Sequence, residues 1–271
     1  MQRRSSQSAV THRVRKIDEL MDRASEALVA THYFECEEVA LAALRQAHAI
    51  HDFDRMARIL MPLQEARRQK RLIAADAAVV TEVLKPDALI DLRPGSYLLK
   101  APGCVGMDGR LLRDLANRER IPVNVVVHEP LTMTREWPVV AVGPVTVRVR
   151  VQPAISPAPS SDRPPATAKK RRGKAKAAAA EPGPAPSPDL LTPEWFLRTL
   201  DLLGLGAMRY ADAPTATARV DQLMQCLETV PEHELLHQTF ADTCRDAMKE
   251  DIKPTRAAPM FADDEGEGGE A

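Results

Sequence analysis

The stretch 31–69, THYFECEEVALAALRQAHAIHDFDRMARILMPLQEARRQ, limits what this chain can fold into more than any other. From Tyr33 the small or apolar residues recur as Tyr33, Cys36, Ala40, Ala43 and Ala47, a spacing of three or four that places them on one face of a helix. Glu35, Glu38, Arg45 and Gln46 fall on the opposite face. Alanine has the best helix propensity and no bulk, so a second helix can approach closely along that stripe. Partners flank it. Ile17, Leu20, Met21, Ala24 and Leu28 share the period on one side, and Phe53, Met56, Ala57, Leu60 and Leu63 on the other. Asp52 is placed to cap the third helix, and Pro62 is expected to kink or split it.

Residues 17–66 resemble a tetratricopeptide-type helical repeat. Tyr33 opens the second helix, Glu35 and Cys36 follow, then come the spaced alanines Ala40 and Ala43 and a further helix. The pattern departs from the family at Leu20, where tryptophan is common, at Arg23, where leucine is preferred, and in lacking a proline after Ala47. The resemblance implies a protein-interaction module whose partner-binding surface lies near Tyr33 and Phe34. A repeat array needs about three units for stability, so one and a half must cap on another part of the chain. A generic helical bundle accounts for the same pattern.

With 271 residues the chain exceeds one typical domain. A formal net charge of −1 selects no partner, and 44% hydrophobic residues supply a core. Cys36, Cys104, Cys226 and Cys244 are dispersed without a CxxC pair, which argues for reduced thiols and a cytoplasmic protein. The basic start, MQRRSSQSAVTHRVRK, has no apolar run of a signal peptide, and no run reaches the roughly 18 apolar residues of a membrane span.

Residues 1–15 are polar, basic and expected to be disordered, and the helical repeat-like module occupies 16–73. A small α/β domain is expected over 75–152. Val79, Val80, Val83 and Leu84 suit one strand, 97–100 another, and Leu111, Leu112, Leu115 and Ala116 mark a helix leading into the β-branched run IPVNVVVH at 121–128. Strand, helix, strand predicts a parallel pair. Segments 137–142 and 145–151 flank Gly143-Pro144 as a hairpin, and the alternation VTVRVRV predicts a sheet with one wet, basic face carrying Thr146, Arg148 and Arg150. The Pro/Ala/Ser/Lys segment 153–189 reads as a disordered linker. A small helical bundle is expected at 190–252, opened by Thr192-Pro193-Glu194 and with its first helix stopped at Gly204 and Gly206; an acidic disordered tail follows at 253–271. The expected class is α+β, multidomain.

Three motifs could carry chemistry. His233-Glu234-Leu235-Leu236-His237 matches HExxH, in which two histidines one turn apart bind zinc and the glutamate activates a water. Here His233 and His237 would be the ligands and Glu234 the general base. A third ligand is required, and Cys244, seven residues beyond His237, stands about 10 Å along the axis. The competing reading sets His237 against the apolar face of Phe240 and Cys244 and leaves His233 and Glu234 solvated. Gly103, Gly106 and Gly109 could let backbone amides approach an anion, but the spacing is not GxGxxG and Asp108 would repel one, so a tight connection capped by Asp108 is the better reading. Lys169, Lys170, Arg171, Arg172, Lys174 and Lys176 form a run able to bind nucleic-acid phosphates without sequence preference, with no aromatics to stack on bases. The leading expectation is a non-enzymatic interaction or scaffold protein without a cofactor. A zinc-dependent hydrolase and a nucleic-acid-associating protein are the alternatives.

Overall fold

The computed structural model describes residues 2–86, 91–130, 136–155 and 189–252. Three helices open it: α1 (Gln2–Val29), α2 (Tyr33–His48) and α3 (Phe53–Asp76). The small-residue stripe is the packing seam, with Cys36, Ala40, Ala43 and Ala47 fully buried between neighbours on either side. Asp52 caps α3 by accepting from the Arg55 amide at 3.1 Å, and the Arg55 guanidinium reaches Asp18 of α1 through two bonds of 2.7 and 3.0 Å. Two local expectations change. α1 takes in residues 2–15, whose glutamine, arginine and alanine favour a helix and which hold neither glycine nor proline. α3 runs through Pro62 as one helix, and its length is held by packing on both ends of the proline turn, at Ile59, Leu60, Leu63 and Ala66.

A five-stranded sheet follows in the order β1 (Val80–Val83), β2 (Gly95–Lys100), β3 (Val123–His128), β4 (Trp137–Val142) and β5 (Thr146–Val151). The first three strands are parallel and the last two pair antiparallel. Helix α4 (Gly106–Arg118) makes the crossover between β2 and β3. Alternation along the strands serves two cores. Leu98, Val126, Val139 and Val147 join the main core, whereas Tyr97, Leu99, Val125, Val127 and Val140 meet Leu112 of α4 in a smaller one. The expected wet face is therefore confined to Arg148 and Arg150 on the edge strand, because α4 covers the rest of that side. Strands β6 (Ala154–Ile155) and β7 (Asp189–Leu190) pair side by side. The linker between them, with its basic run, lies outside the described residues, as does the acidic tail, and the chain resumes where it left off.

Helices α5 (Pro193–Met208), α6 (Ala216–Thr229) and α7 (Glu234–Ile252) complete the described chain. Thr192 caps α5 as its sequence implies, its hydroxyl accepting from the Trp195 amide. α5 does not stop at Gly204 or Gly206. Both lie inside it, where a Cβ at Gly204 would sit 2.0 Å from the His233 ring and one at Gly206 would sit 2.8 Å from Val149 of β5. These glycines let a ring and a strand approach the helix backbone. α7 packs along α3 as well as α6, and α5 lies on the sheet. One apolar core thus runs from Ile17 of α1 through the sheet to Ala247 of α7. Phe196 and Phe240 of this core are fully buried, each contributing about 1.5–3 kcal/mol of transfer free energy. The architecture is α+β with an N-terminal helical module. No described helix is long and apolar enough to cross a membrane.

Candidate functional site

The HExxH residues fold into structural roles. His233 sits at the start of α7, where its Nδ1 accepts from the Leu236 amide at 3.2 Å, satisfying an otherwise unpaired donor of the first turn. The ring is buried rather than solvated, because it tucks over Gly204 of α5. One turn on, His237 Nδ1 bonds the His233 carbonyl at 2.9 Å, and its Nε2 faces Arg67 Nη1 at 3.3 Å. A carbonyl only accepts and a guanidinium only donates, so the ring is the neutral Nδ1–H tautomer. Burial and then the Arg67 charge push its pKa down to about 3. Glu234 faces outward and pairs with Arg68 Nε at 3.3 Å. The lone pairs a zinc ion would need, at His237 Nε2 and His233 Nδ1, are both engaged, the first by a cation. No group of three or more His, Cys, Asp or Glu side chains among the described residues is arranged to hold a metal.

His237 belongs to a buried ionic network. Arg67 Nε donates to Glu37 Oε1 of α2 at 2.8 Å, and Lys70 bonds the other Glu37 oxygen. Lys70 also reaches Asn117 Oδ1 of α4 at 2.7 Å and stands 4.2 Å from the centre of the Phe34 ring. Burial pushes the Glu37 carboxyl up, but Arg67 and Lys70 outweigh it and hold the pKa at about 2. One helical turn beyond, Arg71 bonds the Leu197 carbonyl at 2.7 Å and Asp201 at 2.9 Å, both on α5, while Asn124 of β3 donates to the Arg71 carbonyl at 3.2 Å. Arg67, Lys70 and Arg71 thus tie α3 to α2, α4, α5, α7 and the sheet. Such networks add little net stability but are costly to break singly.

Sequence reasoning missed this network. Its signal was present, since Arg67, Arg71 and Ala74 continue the period of Met56, Leu60 and Leu63, but arginine on an apolar face reads as the end of burial.

Two connected openings flank the network. A groove of about 430 Å³ runs between α2 and the end of α4, with Phe34, Leu41, Arg118 and Arg120 in its walls. It shares Glu37, Leu41 and Asn117 with a deeper cleft of about 210 Å³ that reaches Arg71, Arg113 and Glu232. Of the two aromatics expected at a binding surface, Phe34 lines the groove, whereas Tyr33 packs against the main core. Gly103, Gly106 and Gly109 allow close approach of the chain to Leu84 just past β1, to β4 and to β3, and Asp108 accepts from the Val105 amide at 2.7 Å at the start of α4, the cap its position implies. The basic run at 169–176 lies outside the described residues.

No family model matches the chain, and comparison with curated proteins and with solved structures finds no match either.

Proposed function

We propose that this protein is a non-catalytic binding module that holds a segment of a partner protein in the groove between α2 and α4. The observation that carries this reading is the groove itself. Phe34 is half-buried there with one face under Lys70, Leu41 continues the apolar floor, and Arg118 and Arg120 rise at the rim. Its walls are fixed by the Glu37–Lys70–Asn117 bridge, so the surface is pre-formed and little ordering cost falls on binding. A segment with an apolar side chain for Phe34 and an acidic one for the two arginines fits this chemistry. The likeness of residues 17–66 to an interaction repeat supports the same use, with α7 and the sheet supplying the cap that an isolated repeat lacks. In this reading the last three helices form a C-terminal bundle buttressing the module.

The test is affinity capture from the cell that makes the protein, with the immobilised full chain compared with a Phe34→Ser, Arg120→Glu double variant. Proteins retained by the first and lost from the second by tenfold or more are expected. Identical captured sets, with the variant folded by circular dichroism, would refute the groove as the binding surface.

A further inference from the structure

The deeper cleft has a charge imbalance that the groove reading does not use. Six cationic side chains and four carboxylates line it, and one of the cations, Arg71, is paired at 2.9 Å with Asp201 outside the lining, which leaves an excess of one positive charge in a recess where low-dielectric walls concentrate the field. Two neighbours in its wall also have unused hydrogen-bonding capacity. Glu232 Oε2 is buried and finds no hydrogen-bond donor among the described residues; Arg113 Nη1 approaches it only to 3.9 Å, an ion-pair distance too long for a hydrogen bond. Arg71 Nε is buried without an acceptor among the described residues, although the same guanidinium holds the Glu232 carbonyl at 3.4 Å. Arg113 is fixed by donation to the Thr229 carbonyl at 3.1 Å. The wall therefore offers arginine donors and a carboxylate acceptor side by side.

A simple anion would satisfy the arginines and be repelled by Glu232. A neutral donor would satisfy Glu232 and leave the charge excess. We infer that the cleft between α3, α4 and Glu232 binds a phosphate group that carries a hydroxyl, either hydrogenphosphate itself or a small phosphomonoester with a neighbouring alcohol. The phosphate oxygens accept from Arg71 and Arg113 while the hydroxyl donates to Glu232. Sulfate has the same size and charge as hydrogenphosphate but no proton at neutral pH, so it leaves Glu232 facing an oxygen. Discrimination between two such ions is the signature of this site, since a buried acceptor that loses its donor is costly. The inference does not rest on the groove reading, because the cleft walls are complete without a partner protein.

The experiment is isothermal titration calorimetry of the full chain at pH 7 in a buffer of low ionic strength free of phosphate. The probes are inorganic phosphate, glycerol 3-phosphate and sulfate. One site is expected, with at least one of the two phosphate compounds binding tenfold or more tightly than sulfate; whichever is tighter identifies the free ion or the ester as the ligand. Glu232→Gln removes the repulsion and lowers the preference over sulfate at least fivefold. Arg113→Gln weakens phosphate at least tenfold, and Arg148→Gln, which alters a pair with Glu129 elsewhere on the sheet, leaves it unchanged. Because Arg113 also holds the α6 end, the Glu232 variant decides the matter if Arg113→Gln fails to fold. No saturable binding of either phosphate compound, equal affinity for sulfate in the unaltered protein, or a preference that survives Glu232→Gln unchanged would each overturn the inference.

Discussion

Lowering the pH should destabilise this protein through His237 before any carboxylate takes part. The ring is 1% exposed, burial and Arg67 hold its pKa at about 3, and its ordinary value is 6.5. A histidine depressed in the folded state is protonated first in the unfolded chain, so stability is complete above 6.5 and falls as the pH drops toward 3. Integrating the linkage between pH 7 and pH 5 gives a loss of about 2 kcal/mol from this one group. The Glu37 pKa of about 2 contributes in the same direction, but only below its ordinary value of 4.5. The assay is urea unfolding at pH 7, 6 and 5 for the unaltered protein and for His237→Gln, which keeps a polar side chain of similar length and cannot titrate. His128 and His233 are also pushed down, and both remain in each protein, so the difference between the two isolates His237. The unaltered protein should lose about 2 kcal/mol more than the variant across that range. Parallel slopes would show that the ring is accessible to protons and that its bond to Arg67 is not its native state.

Gly204→Ala should lower the melting temperature by several degrees. The new methyl meets the His233 ring at 2.0 Å, and displacing the cap costs about 1–3 kcal/mol against a gain in helix propensity of about 1 kcal/mol; a rise in melting temperature would show that the ring moves freely. Glu37→Gln leaves Arg67 buried beside a neutral partner and should cost roughly 3 kcal/mol by urea unfolding, a figure contradicted by a change below about 0.5 kcal/mol. All four cysteines are buried, and burial pushes Cys36 and Cys226 up to about 11 and Cys244 to about 12. A thiol reagent at pH 8 should therefore label none of them within minutes in the native protein and four in denaturant, whereas rapid native labelling would show that these segments open.

The helices and the central strands were legible because their signals are local. The alanine stripe, the Asp52 and Thr192 caps and the run at 121–128 each specify an element without reference to the rest of the chain. What was not legible depends on contacts between distant segments. Gly204 reads as a stop until the His233 ring is seen above it, and Pro62 reads as a break until the packing around it is seen. HExxH spaces its histidines one turn apart on α7, as a zinc site would. Arg67, 170 positions upstream, decides that His237 is instead a hydrogen-bond acceptor. The groove and the cleft are likewise assembled from α2, α3, α4 and the turn between α6 and α7, and no segment carries either alone.

The groove is tested most directly by photo-crosslinking in the cell, with p-benzoylphenylalanine replacing Arg120 at the rim or Arg150 on the exposed edge of the sheet. The binding reading predicts a discrete protein adduct from position 120, none from position 150, and loss of the first when Phe34→Ser is added. Adducts of equal yield at both positions, or an adduct at 120 that persists in the Phe34 variant, would contradict it.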